Sequence, residues 1–148
     1  MSSGRFVAYT GALVAGVVGS VYFGVLLEPP TASNAIALIM FTALFAVVEL
    51  ADLSFYDTEE TWGLSASEAI LLPMLVSLSF AEVTVAAAVG MTIARARSYR
   101  LNPVKEVFNV AQYACAAAAA AATWQAVAGP GTGSFGPRQA FAGVIGVL

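Results

Sequence analysis

The sequence predicts an all-α protein, a polytopic transmembrane helical bundle of five to six spans that includes one short helical hairpin. Three observations predict it. Of the 148 residues 59% are apolar and only 10% charged, against roughly 45–50% and about 25% in soluble domains. The apolar residues lie in long blocks, several of them near the 20 or so residues that cross a bilayer. Four of the six basic residues, Arg95, Arg97, Arg100 and Lys105, fall in one short connection, as the positive-inside rule expects of a cytoplasmic loop. The whole chain, 1–148, reads as a single transmembrane domain.

The first span runs from Phe6 to Leu27 and stops at Glu28-Pro29-Pro30, which cannot continue a helix. Its apolar stretch is longer than a signal peptide's and lacks a small-residue cleavage site, so the helix is expected to be retained. Ala12, Gly16, Ser20 and Gly24 recur every fourth residue, the small-residue spacing that lets a second helix approach closely. The second span is expected from Asn34 to Leu50, with Ser33 or Asn34 as N-cap. The polar stretch from Asp52 to Ser67 then reads as a loop, with Phe55, Tyr56 and Trp62 at the headgroup level.

Ser65 and Glu68 have the spacing of a capping box and should open a helix. The apolar run from Ala69 to Arg97 is too long for one ordinary span. It is either one tilted helix kinked at Pro73 or two short helices, Ser67 to Ser79 and Ala81 to Arg97, turning around Phe80. Charge favours the hairpin, because Arg5 and the Arg95 to Lys105 connection then both lie in the cytoplasm. Along the second of these helices Ala86, Gly90 and Ala94 repeat the close-packing spacing, in register with Glu82. Asn102-Pro103 reads as N-cap followed by proline in the first turn, opening a fifth span that extends to Val127 and contains seven consecutive alanines, Ala116 to Ala122. Beyond the Gly129 to Gly133 turn the chain becomes apolar again from Phe135. A stop at Leu148 falls within a sixth helix counted from Gln139, so the chain is expected to be a fragment of a longer one.

Composition excludes several chemistries. There is no histidine and one cysteine, Cys115, so no imidazole base, haem ligand or thiolate metal site is expected. No phosphate-binding glycine loop is present. A net charge of −3 argues against nucleic acid. The expectation is a protein that is not an enzyme and carries no cofactor and no metal.

Asn109, Gln112 and Tyr113 in the fifth span are the best candidates for a ligand site, together with Glu49 and Asp52. Asn109 and Gln112 lie roughly 6 to 11 Å deeper than Lys105, where polar groups must meet protein or water. Interhelical hydrogen bonding, worth about 0.6 kcal/mol on average, is the simpler use of them. Glu68 and Glu82 are explained by capping and by charge in a first helical turn. Arg95, Arg97, Arg100 and Lys105 are expected to contact anionic lipid headgroups, at about 1 kcal/mol each.

From Leu64 to Trp124 the chain has a Leu-Ser start, a short apolar helix, an alanine-rich helix ending in arginines, and then Asn-Pro-Val-Lys-Glu-Val-Phe-Asn-Val-Ala-Gln-Tyr-Ala over Asn102 to Ala114. This segment resembles the N-terminal multi-helix membrane sensor domain of bacterial cyclic-di-GMP signalling proteins of the HD-GYP or GGDEF type, with Phe108-Asn109-x-x-Gln112 as the shared pattern. Where those proteins often have a Gly-Pro break, this chain has Leu78-Ser79-Phe80-Ala81. The resemblance implies a sensor or anchor in the inner membrane, its output domain lying outside this sequence. Two other functions suit the same composition: a small accessory subunit of a large membrane complex, and the substrate-binding membrane subunit of a vitamin transporter. The expected partners are the lipid bilayer and other transmembrane helices, in a homo-oligomer or a larger complex.

Overall fold

The computed structural model describes residues 3–27, 35–55, 66–96 and 103–128, and these are all-helical, with no strand among them. Helix α1 is Ser3–Leu27, α2 is Ala35–Phe55, α3 is Ala66–Ser77, α4 is Phe80–Arg95 and α5 is Pro103–Ala128. One of them, α1, is long and apolar enough by length and composition to cross a membrane, over Gly4–Leu27; α2 and α3 contain shorter apolar stretches, Ala35–Ala51 and Glu68–Ser77.

Several boundaries differ from expectation, among them the end of α4, which stops at Arg95 rather than Arg97. Helix α1 begins three residues earlier, at Ser3, with Gly4 tolerated in its first turn. Helix α2 passes Leu50 and Asp52 and ends at Phe55, because the segment Ala51 to Phe55 holds neither glycine nor proline to break it. The break between α3 and α4 falls at Leu78-Ser79 rather than at Phe80. Pro73 lies inside α3 without ending it. What starts α4 is Ser79: its backbone is extended (φ −69°, ψ 164°), the Glu82 N–H donates to Ser79 Oγ, and the Ser79 N–H donates to Glu82 Oε2 at 2.8 Å. This reciprocal pair satisfies two donors left open by a helix N-terminus. Asn34, Ser65, Asn102 and the expected sixth helix lie outside the described residues.

Helix α4 is the centre of the fold, packed by α1, α2 and α5, while α3 lies mainly against α2 and shares fewer contacts with α4 and α5. The contacts fix the directions. Phe6 and Tyr9 of α1 pack on Phe108 of α5 at ring-centroid distances of 5.1 and 5.9 Å, and farther along both helices Cys115 Sγ lies 3.5 Å from the Leu13 carbonyl oxygen. Helices α1 and α5 are therefore parallel. Arg95 near the end of α4 pairs with Glu106 near the start of α5, and Gly24 near the end of α1 abuts Phe80 and Ala81 at the start of α4. Helix α4 is thus antiparallel to both. Gly90 of α4 abuts Thr42 and Phe45 of α2. If α2 ran against α4, Ala35 would lie roughly 35 Å along the bundle from Leu27, whereas the eight-residue step between them reaches about 28 Å at most. Helix α2 therefore runs with α4. One end of the bundle, the arginine end, gathers the N-termini of α1 and α5 and the C-termini of α2 and α4.

The interior combines alanines of α4 and α5 with large side chains, among them Phe45 of α2, Leu71, Met74 and Leu75 of α3 and Trp124 of α5. Ala86, Ala87 and Ala114 are fully buried, as are Phe45, Met74 and Val83, whereas Leu27 is 82% exposed, Ile36 71% and Phe23 64%. The large aliphatic and aromatic residues of α1 and α2 thus point mostly outward. All five described threonines, Thr10, Thr42, Thr84, Thr92 and Thr123, donate their hydroxyl to the carbonyl four residues back, at 2.7–2.9 Å. None of these hydroxyls needs water.

Candidate functional site

The expected ligand residues are brought together only in part. Glu49 is buried on α2 (6% exposed), one turn beyond Phe45, whose ring meets the Tyr113 ring edge-on at 5.4 Å. Asn109, one turn before Tyr113 on α5, is half-buried. Because α2 runs toward the arginine end and α5 away from it, Glu49 and Asn109 both lie one turn closer to that end than the Phe45–Tyr113 contact. Gln112 does not join them. It is exposed, on the same side of α5 as the exposed Ala116 and Ala119. The physical reason is rotation: at about 100° per residue Asn109 and Tyr113 nearly superpose, whereas Gln112 falls opposite the buried stripe of Ala114, Ala117 and Ala121. Asp52 sits one further turn along α2, and its side chain is outside what the structure describes.

The arginine end holds an ion pair. Arg95 Nη1 lies 3.4 Å from Glu106 Oε2, with side-chain exposures of 24% and 8%. The Arg95 Nε–H also donates to Met91 Sδ at 3.2 Å. Pairing keeps the Glu106 carboxylate compensated where little water reaches it. Arg5 and Lys105, at the first turns of α1 and α5, are exposed at this same end. Arg97 and Arg100 lie outside the described residues.

The small-residue positions divide by helix. On α4, Ala86, Gly90 and Ala94 are all buried, and a Cβ on Gly90 would come within 2.8 Å of Phe45 Cδ1 and 3.1 Å of the Thr42 carbonyl oxygen. On α1 the spacing is used unevenly. Gly24 is buried, and a Cβ there would stand 2.9 Å from Ala81 Cβ; at Gly16 the nearest atom would be Cys115 Sγ at 3.7 Å. Ala12 and Gly16 are exposed and Ser20 is half-buried.

Two features escaped sequence reasoning. Ser79 and Glu82 have the same Ser-x-x-Glu spacing as Ser65 and Glu68, so the cap of α4 was open to detection. The Phe6, Tyr9 and Phe108 group had no local signal, since it depends on the register between helices nearly a hundred residues apart. Among the described residues no group of His, Cys, Asp and Glu could hold a metal ion. No family model matches the chain, and neither a curated protein nor a solved structure is significantly similar to it.

Proposed function

We propose that the chain is a multi-pass bundle of the bacterial inner membrane that serves as the sensor or anchor region of a signalling protein. The observation that carries the membrane reading is the exposed apolar surface of α1 and α2, on which Val18, Phe23, Leu26, Leu27, Ile36, Ile39 and Met40 are each more than 60% exposed. Water penalises such a surface, because large contiguous apolar patches are rare on soluble monomers, whereas hydrocarbon accepts it and small residues let helices pack closely there. Threonine hydroxyls closed onto their own helices suit the same medium.

The signalling part rests on the resemblance of Asn102 to Ala114 to the sensor region of cyclic-di-GMP proteins. On this reading the bundle catalyses nothing and holds no cofactor; it transmits a state through helix packing, with the Phe45–Tyr113 ring contact and the neighbouring Glu49 and Asn109 as the place between α2 and α5 that a signal would alter. The exposed small and polar side of α5, Gln112, Ala116 and Ala119, favours a second partner besides lipid, a transmembrane helix of another subunit.

Alkaline carbonate extraction tests the membrane reading: the chain should stay with the membrane pellet, and release into the supernatant would sink it. Cellular cyclic-di-GMP, measured with and without residues 1–148 in the source cell, tests the signalling part. An unchanged level with the bundle deleted would remove it.

A further inference from the structure

The structure assigns a binding site for a small organic monocation, an alkylammonium group, to the groove between α2 and α5 in the half of the bundle nearer the arginine end. It rests on the reading above of that place as the one a signal alters, and it names the chemistry of the signal. Helices α2 and α5 both pack closely on α4 but scarcely on each other. The rings of Phe45 and Tyr113 bridge the gap. One turn toward the arginine end, Glu49 lies on its α2 side and half-buried Asn109 on its α5 side. Because α2 runs with α4 and Gly90 abuts Phe45, the next turn of α4 brings Met91 and Ala94, both buried, to the level of Glu49. The floor of the groove is therefore apolar.

Glu49 supplies the charge. It is 6% exposed, yet its carboxylate has no hydrogen-bond or ion-pair partner among the described residues. Arg95 is engaged by Glu106 Oε2 at 3.4 Å and by Met91 Sδ, and Lys105 is engaged as well. Glu49, Glu106 and Arg95 together thus leave one negative charge unmatched. A buried charge without a partner is costly, and within a membrane that cost marks a residue as functional. No described side-chain oxygen is sealed in without a partner, so the Glu49 carboxylate opens on space that a ligand can reach. One carboxylate calls for one positive charge. No group of His, Cys, Asp and Glu among the described residues suits a metal ion, whereas an ammonium head needs only acceptor oxygens. Its alkyl part suits the Phe45 and Tyr113 rings, which also attract cations.

The test is thermal unfolding of the full chain in a neutral detergent, with ethylammonium chloride as the probe and sodium chloride at equal ionic strength as the reference. Ethylammonium should raise the midpoint in a saturable way, and sodium should not. Glu49→Gln should raise the concentration needed for half the shift about tenfold, while Glu68→Gln, which removes a negative charge from the first turn of α3, should leave it unchanged. Without the amine, Glu49→Gln should unfold at the parent's temperature or above it, since it removes an uncompensated buried charge. Equal shifts with ethylammonium and sodium would overturn the inference, as would full ethylammonium stabilisation of Glu49→Gln. A lower midpoint of Glu49→Gln without the amine would overturn it too, because the carboxylate would then be holding a partner within the fold. None of these results touches the membrane and signalling readings, which carbonate extraction and cellular cyclic-di-GMP decide separately.

Discussion

Glycine serves opposite purposes at positions that share one spacing in the sequence. At Gly90 an added methyl would press on Phe45 and on the Thr42 carbonyl, and at Gly24 on Ala81 and Phe80; at Gly16 it would make an ordinary contact. Gly90→Ala and Gly24→Ala should therefore each cost about 1–3 kcal/mol through overpacking, measured by thermal unfolding in detergent. Gly16→Ala should stay within about 0.5 kcal/mol of the parent. Equal effects at all three would mean that the close approaches are not maintained. Polar residues separate in the same way. Asn109→Leu, at a half-buried position, should change stability by at most about 0.6 kcal/mol, the average worth of a polar contact between membrane helices, while Gln112→Leu on the exposed side should change nothing or stabilise slightly. A larger loss at Gln112 would show that its side of α5 is covered. The sequence made Gly90 and Asn109 legible through spacing and depth. It could not separate Gly90 from Gly16, because which member of a repeat touches a neighbour depends on the crossing point of two helices.

Elements were legible wherever a breaker or cap marks them. The proline pair after Leu27 and Pro103 at the start of α5 gave boundaries that the structure keeps within a few residues. The end of α2 was misplaced because Asp52 looked like the beginning of a loop, although polarity without glycine or proline does not stop a helix. The α3–α4 break was foreseen from length, but its cause was sought at Phe80 rather than at Ser79. That cause is testable. Ser79→Ala should destabilise the protein by about 1 kcal/mol, and Ser79→Asp, which keeps an acceptor on the cap, should recover most of the loss. If Ser79→Ala were silent, the break would be held by the packing of Leu78 and Val83 in the core rather than by the cap.

At the scale of the whole molecule, the expected orientation followed from charge, and the packing now supplies a separate reason for part of it. Helices α1 and α5 are parallel through Phe6–Phe108 and Leu13–Cys115, so the start of the chain and the connection before α5 belong to one end regardless of any rule about arginines. Helix α5 has 26 residues, roughly 39 Å at 1.5 Å per residue. On the multi-pass reading proposed above, this length would cover a hydrocarbon core of about 30 Å, although α1 alone among the described helices is also apolar enough to cross. The two ends of α5 should then open on opposite sides of the membrane. In a Cys115→Ser background, cysteines placed at Ser2 and Ser98 should react with an impermeant maleimide only after the cytoplasmic side is exposed, and a cysteine at Thr132 should react from the outside. Labelling of Ser2 and Ser98 from opposite sides would contradict the parallel packing itself. Labelling of all three from one side would leave the packing intact but remove α5 from the membrane, and would return the alanine-rich helix to a bundle that lies on the bilayer rather than through it.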